Sequence, residues 1–291
     1  MEIRPMETRP EYRACEALQR EVWGQGFSEL VPASVLKIAR AVGGVASGAF
    51  GEEDGLAGFV FGLTGVRDGH RAHWSHMLAV RPGLRGSGLG TALKRHQREL
   101  LVGLDVGVCY WTYDPIVSKN AYLNLNHLLA TVDRYVEDMY GETGSTLHRG
   151  LGTDRFVVRW ELGRDAPDPF DPSDPARGRL EARLAGHAGA PVANPGGRAD
   201  APLPAGVAVR VAIPPDIHAV READPGRAAR WREGTRRAFL HYLEGGWRVL
   251  GYVRPPGGAL AEPPGPRADG PDGADAPGAA GEPGHYVLVR P

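Results

Sequence analysis

A glycine-rich stretch between a strand-like and a helix-like segment constrains this chain most. In VRPGLRGSGLGTAL, residues 80–93, glycines stand at positions 83, 86, 88 and 90. The run AHWSHMLAV before it has strand composition. The run TALKRHQRELLVGL after it places Leu93, Leu100 and Leu101 on one flank, with basic residues elsewhere, which predicts a helix. Glycines let a ligand approach the backbone closely, and helix N-termini attract anions, so the stretch predicts an anion site.

Three kinds of glycine-rich loop can be compared with this stretch. A P-loop ends in Gly-Lys-Ser/Thr, whereas Gly90 precedes Thr-Ala, which excludes that loop. The dinucleotide fingerprint G-x-G-x-x-G needs a parallel unit before it, and it meets Thr91 where its third glycine belongs. The third kind is a turn without a ligand. Arg81 and Arg85 flank the loop and favour an anion site over such a turn.

Residues 1–162 are predicted to form one α+β unit with a mixed sheet. A short strand at 2–5 and helices at 11–23 and 33–42 come first. An antiparallel meander follows, made of VASGAF, GLAGFVFGLTGV and AHWSHMLAV with turns GEED and RDGH between them. After the long helix come a strand, a short helix that Ser118 could cap, and two strands, in the runs VGVCYWTYDP, SKNAYLNLNHLLA, TVDRYV and RFVVRWEL.

Composition divides the rest of the chain. Residues 163–206 are rich in Pro, Gly, Ala and Asp, which predicts a linker, and residues 255–283 predict a disordered insertion. Residues 207–291 otherwise predict a smaller strand-helix-strand-strand module, whose helix begins at Asp224-Pro225. This module could complete a sheet, cover an acceptor pocket or form a dimer contact. Its helix carries arginines expected on a solvated face, or as a clamp for a carboxylate, at positions 227, 230, 232, 236 and 237.

Charge and cysteine content limit the partners. The chain has 34 basic and 35 acidic residues, so no net field attracts nucleic acid or an anionic membrane. No apolar run has the length of a signal peptide core or a membrane span. Cys15 and Cys109 are too few for a disulfide framework or a zinc ribbon. We therefore expect a cytoplasmic protein with neither nucleic-acid nor membrane partners.

A metal site at the spaced histidines His70, His73 and His76 is not expected. In a strand, the first and third lie roughly 20 Å apart at about 3.3 Å per residue, and the second points to the other face. The sequence therefore predicts no bound metal.

The motif R-x-x-G-x-G is formed by Arg85, Gly88 and Gly90 after a strand ending in LAV. It resembles the acyl-CoA pyrophosphate loop of the GNAT superfamily of N-acyltransferases, and the element order of residues 1–162 is similar to that fold. The longer runs SHMLAVRPGLRGSGLG, YWTYDP and NAYLNLNHLLATV, with Tyr140-Gly141, look like one subgroup of predicted GNAT acyltransferases associated with the acylation of amino acids. The smaller module resembles the second half of a GNAT unit without its loop.

The resemblance implies that acetyl-CoA or another acyl-CoA binds as co-substrate. It implies that the backbone of Leu78, Ala79 and Val80 pairs with the pantetheine arm, and that Asn120 lies near the cofactor. It also implies that the pyrophosphate is held by the amides of the loop residues, namely Arg85, Gly86, Ser87, Gly88, Leu89, Gly90 and Thr91.

The groups that carry the chemistry are less defined. Attack on a thioester needs a neutral amine, so a base is expected, and His76 before the LAV segment is either that base or a hydrogen-bonded structural residue. Many members of the superfamily have a tyrosine on the later helix as proton donor, but here the run is NLNHLLA. The candidate acids are therefore Tyr113, Asp114 and Tyr122, whereas Trp111 is expected in the core or the pocket wall.

These features predict an N-acyltransferase that moves an acetyl or other short acyl group, such as succinyl, to a primary amine of an amino acid or similar small molecule. Direct attack in a ternary complex is expected, because Cys109 lies in a core-like strand. A catalytically silent acyl-CoA sensor or interaction module is the alternative, motivated by the missing tyrosine. A homodimer is left open.

Overall fold

The main sheet has seven strands in the order β1-β2-β3-β4-β5-β7-β6. In this computed structural model, residues 1–51, 55–141, 151–255 and 281–291 are described. Neighbouring strands are antiparallel except β4 and β5, so the predicted mixed sheet is confirmed. The strands are β1 Glu2–Pro5, β2 Val45–Gly51, β3 Gly55–Arg67, β4 His70–Val80, β5 Val108–Tyr113, β6 Thr131–Val136 and β7 Arg155–Glu161.

Helices cover both faces of this sheet. On one face, α1 (Arg9–Trp23) and α2 (Ala33–Ala41) bury residues such as Phe59 and Met77. On the other face lies α3 (Leu89–Gly103), and α4 (Ser118–Ala121) continues as a π-helical segment, Tyr122–His127. The predicted order of strands and helices in residues 1–162 is confirmed.

The cap predicted for α4 is wrong. Val117 is the N-cap residue and makes no side-chain capping bond. The Ser118 hydroxyl does not cap the helix and instead pairs with the Tyr252 hydroxyl at 2.6 Å.

A second, three-stranded sheet has the order β8-β10-β9 and is antiparallel throughout. Its strands are β8 Ala208–Ile213, β9 Arg248–Val253 and β10 Gly284–Val289, and its helices are α5 Ala176–Ala185, α6 Ile217–Ala223 and α7 Pro225–Glu244. As predicted, Asp224 caps α7, since its carboxylate accepts a hydrogen bond from the Arg227 amide at 2.9 Å. The module therefore has the predicted strand-helix-strand-strand order, with α6 as an addition.

The segment predicted as a linker, residues 163–206, is more ordered than its composition indicates. It contains α5, which packs on β9. It is also tied to β8 by the buried Asn194 side chain, which donates to the Ala212 carbonyl at 3.0 Å and accepts from the Ala212 amide at 2.7 Å. Polar bonds to an edge strand order this segment, and apolar content alone does not reveal them.

The two sheets share one buried core. Phe156 of β7, Phe239 of α7 and Tyr286 of β10 contact one another, with ring centroids 4.7 Å and 5.3 Å apart for the pairs that include Phe239. The division into units at 1–162 and 207–291 stays a prediction. Most of the insertion predicted at 255–283 lies outside the described residues. Within the described ranges, no helix combines the length and apolar character that a membrane crossing requires.

Candidate active site

A gap opens between β4 and β5 where the two strands diverge. They pair only at three positions, and the last pair is Trp74 with Tyr110. Beyond it, Ser75 and residues 77–80 remain paired with β3 and residues 111–113 with β7, on the sides away from the gap. In the described part of the chain, no ladder pairing joins the two strands across the gap. Backbone amides and carbonyls along both edges are therefore available to a ligand with amide groups.

A β-bulge in β4 lies at the closed end of the gap. Ser75 pairs with Gly62 and Met77 pairs with Phe61, so His76 has no partner on β3. Met77 packs in the core beneath α1 and α2, whereas Leu78 packs on the α3 side. A bulge increases local twist and bends the strand, which explains why β4 leaves β5 at this point.

The glycine loop lies at the open end of the gap. Residues Pro82–Leu84 form a 3₁₀ turn, and Gly86 and Gly88 then take φ values of 87° and 84°, a region that favours glycine. Gly88 is the N-cap of α3, which has no side-chain cap and no acidic residue in its first turn. The first amides of this helix are therefore free to bind an anion and lie at the positive end of the helix dipole.

Gly90 faces the mouth of the gap. A Cβ atom added there would lie 3.6 Å from Leu78 Cδ2 and 3.9 Å from Val80 Cγ2, which are ordinary contacts. The residues predicted to bind the cofactor on β4 and in the loop are therefore brought together at one end of the gap. From Val80 to His76 the strand extends about 13 Å at about 3.3 Å per residue, which suits an extended arm that ends at the bulge.

The backbone carbonyl of Asn120 is connected to the gap by two hydrogen bonds in series. The Asn120 carbonyl accepts a hydrogen bond from Asn124 Nδ2 at 2.8 Å, and Asn124 Oδ1 accepts one from Trp111 Nε1 at 2.8 Å. Trp111 is the first residue of β5 beyond the last pair with β4, so it lies at the closed end of the gap. Tyr122, at the start of the π-helical segment, is partly buried under the guanidinium of Arg254, 3.9 Å from its ring centroid.

His76 is half-buried on the side of the gap that faces α1 and α2. Its ring packs edge-on against Phe61, with centroids 6.2 Å apart. Burial lowers the pKa of His76 below its ordinary 6.5, and the carboxylate of Glu29 opposes this shift. The imidazole is therefore mainly neutral at pH 7 and able to accept a proton.

A buried polar cluster lies on the α3 side of the same closed end. Lys94 Nζ donates to Ser75 Oγ at 2.9 Å and to Gln97 Oε1 at 3.1 Å, and it lies 4.0 Å from the centroid of the Trp111 ring. Gln97 Nε2 donates to His73 Nε2 at 3.1 Å, and His73 Nδ1 lies 2.9 Å from Thr64 Oγ1. Burial lowers the pKa of Lys94 to about 8 and that of His73 to about 3.

This cluster corrects the expectation that the basic residues of α3 lie off its apolar flank. Lys94 and Gln97 are buried together with Leu93 and Leu101. The sequence carries the signal for this, because positions 93, 97 and 101 repeat every four residues and position 94 adjoins that stripe.

Tyr113 and Asp114 lie against the C-terminal module. Tyr113 is 5% exposed, and burial raises its pKa. The Tyr286 hydroxyl lies 3.4 Å from the Tyr113 hydroxyl. The Asp114 carboxylate accepts a hydrogen bond from Arg232 Nη2 at 2.7 Å. These contacts favour a structural role for both residues, because β5 runs directly into the interface with α7 and β10.

The arginines of α7 are only partly on a solvated face, which corrects the expectation for two of them. Arg232 is 5% exposed beside Asp114, and Arg236 Nη2 binds Asp154 Oδ1 at 2.6 Å. Both join α7 to the ends of β5 and β7, where buried carboxylates need a cation.

Neither cysteine is a ready nucleophile. Cys15 and Cys109 are buried free thiols, and burial raises their pKa values to about 12 and about 11. Across the described ranges, no group of three or more His, Cys, Asp or Glu residues could hold a metal ion.

Solved structures of other proteins are similar to part of this chain. One is the NatC complex bound to Gag peptide and CoA, with 16% identity, a TM-score of 0.43, and 56% of this chain and 100% of that chain covered. A protein from Desulfovibrio desulfuricans assigned to the GNAT family has 17% identity, a TM-score of 0.41, and 56% and 99% covered. The ribosomal-protein-S18-alanine N-acetyltransferase from Escherichia coli has 18% identity, a TM-score of 0.41, and 56% and 97% covered.

No protein-family model and no curated protein matches the chain.

Proposed function

We propose that the protein is a GNAT-type N-acyltransferase that moves an acetyl or other short acyl group, such as succinyl, from acyl-CoA to a primary amine. One observation carries the proposal. The gap between β4 and β5 opens onto a glycine loop and an uncapped helix N-terminus, so one continuous groove offers an anion site and free strand edges. This is the combination that a diphosphate joined to an amide-bearing arm requires.

The residues of the loop and of β4 have the chemistry to hold this ligand. The amides of residues 86–91 would bind the pyrophosphate, since the Arg85 amide already donates to the Pro82 carbonyl at 3.3 Å, and the backbone of Leu78, Ala79 and Val80 would pair with the pantetheine amides. Asn120 would lie beside the arm through its link to Asn124 and Trp111. When bound, acyl-CoA supplies an activated acyl group as a thioester.

His76 is the base in this proposal. A primary alkylammonium has a pKa near ~10, so a proton must leave the amine before or during attack. His76 lies at the closed end of the gap, is mainly neutral at pH 7, and has Glu29 close enough to influence its pKa. The carboxylate of Glu29 would also favour the approach of an ammonium ion from the α1–α2 side.

Attack takes place directly in a ternary complex. Both thiols are buried with raised pKa values, so a covalent acyl-cysteine route lacks a nucleophile. The unpaired cysteines suit a cytoplasmic location. The choice of an amino acid or similar small molecule as acceptor rests on the subgroup resemblance, and a homodimer stays a prediction.

Thiol release from acyl-CoA across a panel of amines tests the proposal. Acetyl-CoA and succinyl-CoA are each incubated with the full-length protein and with amino acids, polyamines or aminosugars. We expect thiol release that depends on the amine and saturates with it. Saturable CoA binding without amine-dependent turnover would instead indicate an acyl-CoA sensor.

A further inference from the structure

Lys94 is a buried cation without an anionic partner in the described part of the chain. It is 7% exposed, and no Asp or Glu of the described ranges forms an ion pair with its Nζ. Its contacts are neutral, namely the Ser75 hydroxyl, the Gln97 amide oxygen and the face of Trp111. A buried charge of this kind costs stability, so its presence calls for a counter-charge that arrives with a ligand.

The position of Lys94 indicates where such a counter-charge would form. Ser75 and Trp111 are the first residues beyond the last pair of β4 and β5, so Lys94 contacts both walls at the closed end of the gap. His76 is the next residue along β4 and faces the α1–α2 side. The end of the gap thus has a neutral imidazole toward one face of the sheet and an ammonium toward the other.

We propose that Lys94 is a positioning cation that stabilises negative charge on the leaving sulfur of the acyl donor at the closed end of this gap. The proposal rests on the proposed function, since it needs acyl-CoA in the gap. Lys94 lies behind the Ser75 hydroxyl and the Trp111 ring and stabilises the charge on sulfur electrostatically. It does so as a fixed positive charge in a site of low dielectric constant.

The acyl group moves from the sulfur of the donor to the nitrogen of the amine. The amine nitrogen bonds to the acyl carbon and gives one proton to His76, while the carbon–sulfur bond breaks and its electron pair stays on sulfur. The ammonium of Lys94 keeps its proton and lowers the energy of the thiolate. The thiolate then takes one proton from solvent and His76 releases one, so the neutral amine and the acyl donor give the amide and the thiol. An acceptor that arrives as an ammonium ion releases one further proton to solvent before it attacks.

The other titratable groups around Lys94 do not supply the missing charge. His73 from β4 is neutral, because burial lowers its pKa to about 3. Cys109 from β5 is a neutral thiol, since burial raises its pKa to about 11. Thr64, Ser75 and Gln97 complete the hydrogen bonds of the cluster without charge. Lys94 is therefore an ammonium up to about pH 8 and loses its charge above that pH.

A structural role and the proposed role make opposite predictions for Lys94→Met. If Lys94 serves only the fold, the variant loses two hydrogen bonds and its melting temperature falls. If it is a charge kept for a ligand, an apolar side chain of similar length keeps or raises the melting temperature. Ser75 Oγ still donates to Gln97 Oε1 at 3.1 Å, so no donor is left without a partner. Lys37→Met, on the exposed face of α2, is the matched control.

The decisive measurement compares CoA with desulfo-CoA by calorimetry between pH 6.5 and 9. For the wild-type protein and Lys37→Met, we expect CoA to bind about tenfold more tightly than desulfo-CoA near pH 8. For Lys94→Met we expect equal affinities at every pH. A preference for CoA that is unchanged in Lys94→Met overturns the proposal. Failure of both ligands to bind the wild-type protein overturns the proposed function itself.

A second measurement needs no stable variant. The chain has three lysines, Lys37, Lys94 and Lys119, so lysine-labelled wild-type protein gives a small set of side-chain signals in NMR. A nearby thiolate favours the charged form of Lys94, so CoA should raise its pKa and desulfo-CoA should not. Equal pKa values of Lys94 in the two complexes contradict the proposal.

Discussion

At the scale of single residues, a substitution of His76 tests its proposed role as the base. Replacing it with alanine should lower kcat by about 10²-fold and leave CoA affinity unchanged, because a positioned base contributes about that much. Steady-state kinetics with calorimetry measures both quantities. A rate within twofold of wild type would leave His76 with the structural role.

The pH dependence of kcat/KM also tests whether His76 is the base. Burial lowers the pKa of His76 below 6.5, and the proposed base acts in its neutral form. The wild-type kcat/KM should therefore rise with pH to a plateau, with a midpoint below 6.5. This limb should be absent from the residual activity of His76→Ala, and a midpoint clearly above 6.5 would contradict the account.

A substitution at Asp114 distinguishes a structural role of this residue from a role as catalytic acid. Asp114→Asn removes the carboxylate that accepts a hydrogen bond from the buried guanidinium of Arg232 and leaves only Asp154, 4.0 Å away, as a described anionic partner, so we expect a loss of about 3 kcal/mol in the free energy of unfolding. Urea denaturation measures this loss. Asp200→Asn is the control, because its pair with Arg198 is exposed and its loss should leave stability nearly unchanged. Unchanged stability with lost turnover would instead favour a catalytic Asp114.

At the scale of elements, the π-helical segment holds the second sheet. Asn126 Nδ2 donates to the Tyr252 carbonyl at 2.9 Å, and Asn126 Oδ1 accepts from the Tyr252 amide at 3.2 Å. The side chain thus pairs with one residue of β9 as a neighbouring strand would. This pairing gives the polar run NLNH a structural reason.

Asn126→Ala should cost about 3 kcal/mol in urea denaturation, since two buried backbone groups lose their partners. Tyr252→Phe is the matched control. It loses only the bond of its hydroxyl to Ser118 and should cost about 1 kcal/mol. Similar values for the two variants would mean that Asn126 does not carry this contact.

The helices and strands also show which parts of the fold can be predicted from the sequence. Alternating and helical apolar patterns predict the strands and helices of residues 1–162, because each of these elements buries one face. The patterns miss α5 and the bonds of Asn194 to β8, since polar contacts leave no periodic trace. They also miss the buried Lys94, whose surroundings depend on residues far away in the sequence. The loop of residues 80–93 is the exception, because Gly86 and Gly88 take backbone angles that favour glycine, and this requirement is visible in the sequence.

At the scale of the whole molecule, the shared core predicts how the chain unfolds. Phe156, Phe239 and Tyr286 join the two sheets in one apolar cluster, and Asp154 and Asp114 pair with arginines of α7 at the same interface. We expect a single cooperative transition in differential scanning calorimetry, with equal calorimetric and van't Hoff enthalpies. Two resolved transitions would indicate that residues 1–162 and 207–291 fold as separate units.

The proposed function requires that the gap between β4 and β5 binds CoA. Calorimetric titration of the protein with CoA tests this binding most directly. Gly90→Val adds a Cβ atom at ordinary contact distance from Leu78 and Val80, at the mouth of the gap, and carries two methyl groups beyond it. Gly103→Val makes the same change at the far end of α3, where no atom lies within 4 Å. We predict saturable one-to-one binding by the wild-type protein and Gly103→Val, and at least about tenfold weaker binding by Gly90→Val. Equal CoA affinity for all three proteins, or no saturable binding by the wild-type protein, would contradict the account.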